Sequence, residues 1–246
     1  MLRIVFAAIL SGFISQGWSK PPAEGERRVA AARQTYQADV RAALERKGLR
    51  YPPREIFIRV FKFESILEVW ARDRAADAFK FVIEFPLDGE RARGRKKREG
   101  DFQTPEGFYR IVDFNPESAA YLSMRIDYPN AADRIYAGGQ NPGSLIFIHG
   151  EGYSTGCVPV VFPGIAQLYL MALDARRRPI QVHIFPHQLD RPDEEVDSDR
   201  LTLANPGLEG FWNELRPVYD AFEKTKRLPR ITITKDGHYA IARGGK

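Results

Sequence analysis

The sequence predicts a mostly β protein with flanking helices, an α+β fold, on three observations. Short stretches with β alternation or strand length, such as "EIFIRVFKF" (55–63), recur through the middle of the chain. Longer stretches of helical period stand at both ends of that region and once inside it. The 246 residues are 43% hydrophobic and 12% aromatic, an ordinary globular make-up in a chain long enough to bury a core without covalent staples.

The elements are read in order. Met1-Leu2-Arg3 is followed by an apolar run from Ile4 to Ile14, broken by Ser11 and Gly12, and then by small Gly17 and Ser19. A membrane helix needs about 20 apolar residues, so this short run with a small-residue cut site reads as a signal peptide over 1–19 rather than an uncleaved anchor. Residues 20–50 are expected to form an N-terminal helical arm. Val29, Tyr36, Val40 and Leu44 share one helical face there, and Gly48 supplies the stop. Residues 51–190 are expected to form a largely β domain. It begins with a meander of "EIFIRVFKF", "ILEVWAR" and "FKFVIEF", continues through strands in 104–114, 144–150 and 179–186, and contains a helix over 163–178. Residues 191–246 are expected to add an acidic loop, a helix over 208–227 and a hairpin turning at Asp236-Gly237.

Lys and Arg number 37 against 32 Asp and Glu, a net charge of +5. Part of the excess lies in "RARGRKKREGD" (91–101), with Arg95, Lys96 and Lys97 at its centre. Such a run is either a solvated loop or a surface for a polyanion, and in an exported protein an acidic wall polymer or a membrane is the available polyanion. No aromatic interleaves it, which argues against nucleic acid as a partner.

The one cysteine, Cys157, stands in "IFIHGEGYSTGCVPV" (146–160), eight positions after His149. An unpaired thiol in an exported chain points to reactivity rather than to a disulfide framework. A strand ending at His149 and a glycine-rich return can place an imidazole beside the thiol, which activates it for attack on a carbonyl. The backbone N–H groups of Gly156 and Cys157 are then candidate oxyanion donors. A metal is not expected, since there is no HExxH and Ile184, Phe185 and Pro186 separate His183 from His187. No Lys-Ser/Thr follows the glycines as a phosphate loop requires, and no cofactor is implied. His183, alternating with Val182 and Ile184, and His238, beside the hairpin turn, read as packing and surface residues.

"HGEGYSTGC" resembles the H-G…S-x-G-C signature of the L,D-transpeptidase (YkuD) catalytic domain family, and "GDFQTPEGFYRI" resembles an earlier strand of that domain. The short His-to-Cys spacing, "VHIFP" and "FWNELRPVYDAFEKT…DGHYAI" are similar to its YafK-like branch of Gram-negative periplasmic proteins. The resemblance runs from about Glu55 to Ile241. It implies an L,D-transpeptidase-like β-sandwich catalytic domain, a periplasmic location and peptidoglycan stem peptides as substrate. By the same resemblance Cys157 is the nucleophile, His149 its base, the Gly150 carbonyl the group that orients the imidazole, and Ser154 the signature's serine.

The expected chemistry is attack on the carbonyl of the diaminopimelate L-centre, then transfer to an amine (transpeptidase) or to water (hydrolase). Thr155 and Pro159 stand where most members carry His and Arg. Arg95, Lys96, Lys97, Arg125 and Arg134 are the candidate replacements for binding substrate carboxylates. The missing Arg favours an amidase releasing wall-attached lipoprotein, a further candidate partner. The reading from another class is a catalytically inactive peptidoglycan-binding module, against which the pairing of His149 with Cys157 argues.

Overall fold

A computed structural model describes residues 23–89, 94–150, 152, 154, 156–190 and 207–242. The expected signal peptide, Arg91, Arg93, Thr155 and the acidic loop lie outside the described residues.

The core is one eight-stranded mixed sheet with helices on its flanks. Its strands are β1 (Glu55–Phe61), β2 (Ile66–Arg72), β3 (Lys80–Pro86), β4 (Gly107–Asn115), β5 (Ser123–Ile126), β6 (Phe147–His149), β7 (Val158–Pro159) and β8 (Gln181–Phe185), in the order β3-β2-β1-β8-β4-β5-β6-β7. The meander appears as read, with Glu55 opposite Arg72 and Ile66 opposite Pro86. β8 inserts beside β1 in parallel, pairing Phe57 with Gln181. Strand β4 serves two halves of the sheet. Its residues 107–110 pair with β8, and past an irregularity between Ile111 and Asp113 it pairs with β5. The bulge bends one strand out of the first half and into the second, which is how a continuous sheet curls into two layers.

Both faces of β1 are covered, so six of its seven residues are buried. Ile56, Ile58 and Val60 face the larger core, which they share with α1 (Glu24–Glu45) and α3 (Gly164–Ala175). Phe57 and Phe61 face the opposite side, under α4 (Leu208–Thr225), whose Phe222, Tyr219 and Trp212 complete two smaller clusters. The hairpin β9 (Ile231–Ile233) and β10 (Tyr239–Ile241) packs against α4. The N-terminal helix follows the expected face, with Val40 and Leu44 buried and Val29 and Tyr36 half-buried. It is docked along α3 and tied there by Arg33, which pairs with Asp174.

Three readings change. The strand expected over 144–150 is confined to β6, because Leu145 takes a left-handed φ of 58° and is 61% exposed. Strand β5 and the short helix α2 (Ala131–Ala137) were not read from the sequence. α2 depends on its cap, since the Asn130 side chain accepts from the N–H groups of Ala132 and Asp133. Among the described residues no helix is long and apolar enough to cross a membrane.

Candidate active site

β6 and β7 are neighbouring parallel strands, with Ile148 opposite Val158 and His149 opposite Pro159. Side chains alternate across a strand, so Ile148 and Val158 fill the core while His149 and Cys157 share the other face, diagonally placed. This register is the physical meaning of the eight-residue spacing. Cys157 thereby stands immediately before the strand that flanks the histidine.

The histidine is set by the backbone around it. Its Nδ1 lies 2.5 Å from the carbonyl oxygen of Gly150. A carbonyl only accepts, so Nδ1 carries the proton and Nε2 is the basic nitrogen. The Gly150 N–H in turn donates to Ala120 O at 3.0 Å, and a Cβ on Gly150 would sit 2.5 Å from that same oxygen. Glycine is required there for close approach.

Two contacts hold the thiol, and others fix the backbone that carries it. Cys157 Sγ accepts from the Phe147 N–H at 3.3 Å, a donor that supports negative charge on sulfur, and it lies 3.7 Å from Leu145 O. The Cys157 carbonyl accepts from Thr104 Oγ1 at 3.1 Å. Gly156 has φ 137°, and a Cβ there would come within 2.7 Å of Gln103 O. The "QTPEGFY" stretch therefore packs directly on the cysteine turn. Thr104 was quoted within a motif from the sequence without a role, and the structure supplies one.

Ser154 Oγ accepts from the N–H of Cys157 at 2.7 Å and of Gly156 at 3.4 Å. The two expected oxyanion donors thus converge on one point, which the serine hydroxyl occupies. Asp88, which no sequence pattern singles out, accepts from the Gly152 N–H at 3.3 Å on the same loop. Pro159, in the place of the family's arginine, sits in β7 beside His149, and its carbonyl accepts from the Asp88 N–H.

The basic residues expected at the site are dispersed. Lys96 is only 3% exposed and its ammonium is bound to Asp101 at 2.6 Å. A buried, paired lysine is no part of a solvated basic run, so that reading is corrected at this residue. Arg95 lies against the rings of Tyr136 and Phe211 and donates to Ala132 O, while Lys97 is exposed. Arg125 is 3.8 Å from Asp113, and Arg134 donates to Pro129 O at the foot of α2.

Two other histidines fall where the sequence placed them. His183 is fully buried between the rings of Phe57 and Phe108, at 4.6 and 4.7 Å between ring centres, and His238 pairs with Glu214 at the surface. Burial, and secondarily the charge of Arg59, pulls the pKa of His183 down to about 3. Among the described residues no group of three His, Cys, Asp or Glu is placed to hold a metal ion.

The chain is similar to known proteins. Residues 64–184 match the model of the L,D-transpeptidase catalytic domain (YkuD). YafK of Escherichia coli strain K12, named as a candidate L,D-transpeptidase, is 27% identical over 194 residues, covering 76% of this chain and 74% of YafK. Among solved structures, the helical cell shape determining protein Pgp2 of Campylobacter jejuni aligns with a TM-score of 0.44 at 18% identity, over 73% of each chain. A mutant form of Pgp2 aligns with the same TM-score at 22% identity, over 54% of this chain and 47% of that one. The chain therefore carries, over residues 64–184, an L,D-transpeptidase (YkuD) catalytic domain, and it is similar to YafK.

Proposed function

We propose that the protein is an exported, periplasmic peptidoglycan-modifying cysteine enzyme that acts through a Cys157 acyl-enzyme at the diaminopimelate L-centre of stem peptides. The observation that carries this reading is the placement of His149 and Cys157 on one face of β6–β7, with Nδ1 committed to Gly150 O and Nε2 left as the base. Nε2 takes the thiol proton as Sγ attacks the carbonyl carbon. The resulting oxyanion is met by the N–H groups of Gly156 and Cys157, for which the Ser154 hydroxyl must yield its place. Collapse breaks the C–N bond, the leaving amine takes the proton from His149, and a thioester remains on Cys157. An amine or water then attacks the thioester, gives its proton to Nε2, and the thiolate leaves and is reprotonated. An amine acceptor makes a transferase and water makes a hydrolase.

Pro159 in β7 favours the hydrolytic branch. A side chain without a cation cannot clamp the terminal carboxylate of a tetrapeptide, whereas a leaving group that is itself a protein offers other contacts. Thr155, Arg125, Arg134, Arg95 and Lys97 are kept as substrate-binding candidates, whereas Lys96, buried and paired with Asp101, is dropped; of those in the described part of the basic run Lys97 is the more exposed. Incubation with sacculi bearing covalently attached lipoprotein and with bare tetrapeptide sacculi, followed by mass spectrometry of the muropeptides, tests both branches. Release of protein with water as acceptor is expected. Accumulation of 3–3 cross-linked dimers would instead establish the transferase, and no change in either substrate with the wild-type protein, against the same inertness in Cys157→Ala, would leave only a binding module.

A further inference from the structure

Among the described residues, a cluster of arginines lies away from the thiol. Arg54 immediately precedes β1, and Arg176, Arg177 and Arg178 lie between α3 and β8. β1 and β8 are parallel neighbours, so these two segments meet at one end of the sheet. They line a cavity of about 900 Å³, and Arg54 also lines an adjoining one of about 920 Å³ that includes Arg50. All five arginines are exposed.

The acidic groups that could neutralise this rim are already committed. Asp174 is held by Arg33 and by the Tyr51 hydroxyl at 2.9 Å, Glu55 by Arg72 at 2.7 Å, and Asp77 by Arg74 at 3.0 Å. Asp73 accepts the Arg50 N–H at 3.2 Å. Among the described residues, the guanidinium groups of Arg50, Arg54, Arg177 and Arg178 have neither a hydrogen bond nor an ion pair, and that of Arg176 only caps the Leu173 carbonyl. Crowding free like charges on one rim is destabilising unless an anion is brought to it. The guanidinium fork suits carboxylate or phosphate bidentately.

The shape and make-up select among polyanions. The lining contains no exposed aromatic or large aliphatic side chain to insert into a lipid interface or to stack on a base. Two adjoining hollows sharing one arginine suit a flexible chain with anions at intervals better than a plane of headgroups. The rim is also remote from the chemistry. β4 runs antiparallel to β8 with Gly107 opposite Ile184, so Thr104, which bonds the Cys157 carbonyl, lies at the opposite end of β8 from Arg176–Arg178.

We propose that this arginine rim is a second binding site, one that holds a carboxylate-bearing stretch of peptidoglycan while Cys157 works elsewhere on the same wall. The proposal rests on the reading of the chain as a wall enzyme and gives it a hold on the polymer that does not depend on the reacting peptide.

The test uses the triple variant Arg54→Ser/Arg177→Ser/Arg178→Ser and its lysine counterpart, in the Cys157→Ala background for binding and with Cys157 intact for turnover. Co-sedimentation with sacculi at low ionic strength should fall about tenfold in the serine variant, with the difference shrinking as salt screens the rim. The lysine variant should keep most of the binding, since it keeps the charge and loses only the bidentate fork. Turnover of a small soluble muropeptide should be unchanged in both, and melting temperatures should match the parent. Unchanged sacculus binding in the serine variant overturns the rim site while leaving the enzyme reading intact. Rim-dependent binding to phosphatidylglycerol vesicles in preference to sacculi overturns it in favour of a membrane surface. Absence of turnover by the parent on any muropeptide strikes at the enzyme reading instead, and the co-sedimentation result then stands or falls by itself.

Discussion

Gly156 answers two demands at once: its φ of 137° belongs to the region side chains avoid, and Gln103 O stands 2.7 Å from where a Cβ would be. Gly156→Ala should therefore cost roughly 1–3 kcal/mol of stability, visible as a lower melting temperature. It should also lower kcat, because moving Gly156 moves the N–H groups on either side of it. Cys157→Ala is the opposite case. Alanine fits a position whose backbone contacts, to Thr104 Oγ1 and Ser154 Oγ, do not involve the sulfur, so the fold should persist while turnover and any acyl-enzyme adduct in intact-protein mass spectra disappear. His149→Ala should reduce kcat/KM by about 10²-fold or more, the usual worth of a positioned base. Activity in Cys157→Ala equal to the parent would remove the nucleophile from the mechanism. The His–Cys pair was legible because both halves of its geometry are written in sequence, a strand period of two and glycines where the chain doubles back. Thr104 and Ser154 were visible as motif letters, but their partners are backbone atoms, and backbone partners leave no letter. Lys96 was misread for a related reason: a basic run looks solvated until the turn that buries one member against Asp101 is known.

The elements on the α4 side of the sheet are joined by a buried network that no local pattern announces. Glu106 accepts from Lys62 Nζ at 2.9 Å, from the Gly94 N–H at 2.7 Å and from Trp212 Nε1 at 2.8 Å, linking β1's end, the β4 entry and α4. Lys62 and Glu106 have no exposed side-chain surface, so Glu106→Gln would leave an uncompensated buried ammonium, a change that typically costs about 3–5 kcal/mol. Chemical denaturation should show that loss with an unchanged m value. The partners are 44 and 106 residues apart, which is why the network was not read, as β5 and α2 were not, each being too short for a periodic signal. His183 supplies a pH dependence to the same region. Its folded pKa of about 3 lies below the ordinary histidine value of 6.5, so below pH 6.5 the unfolded chain binds a proton that the folded chain refuses. Its contribution is complete above pH 6.5 and is lost as pH falls toward 3. Asp133, raised by burial to about 6 from the ordinary aspartate value of 3.8, runs the other way and loses its contribution as pH rises between those values. Urea midpoints across pH 4 to 7.5 should therefore fall toward acid less steeply in His183→Phe than in the parent. Parallel curves would show that His183 is not the group responsible.

At the scale of the whole molecule, the question is whether the first helix is an appendage or a wall of the core. The sequence shows its apolar face but not what that face meets, and an arm reserved for a partner would carry the same spacing. In the structure Ala32, Val40, Ala43 and Leu44 are buried in the same cluster as Ile56, Ile58 and Leu168, and Arg33 reaches Asp174 on α3. Burying a Val or Leu side chain is worth roughly 1.5–3 kcal/mol, so α1 contributes on the order of 5 kcal/mol from Val40 and Leu44 together with its alanines. A domain of this kind has only about 5–15 kcal/mol in all. A chain starting at residue 51 should accordingly be insoluble or should melt far below one starting at residue 20, even though the family's match begins at residue 64 and the side chains proposed as catalytic, His149 and Cys157, remain. The single substitution Leu44→Ala should cost about 2–5 kcal/mol and leave kcat per folded molecule unchanged, because the main contacts of α1 are with α3 and β3 rather than with β6 or β7. Equal melting temperatures for the two lengths would show α1 to be a separable arm after all. A stable but inactive short form would show instead that the helix acts on the site and not on the fold.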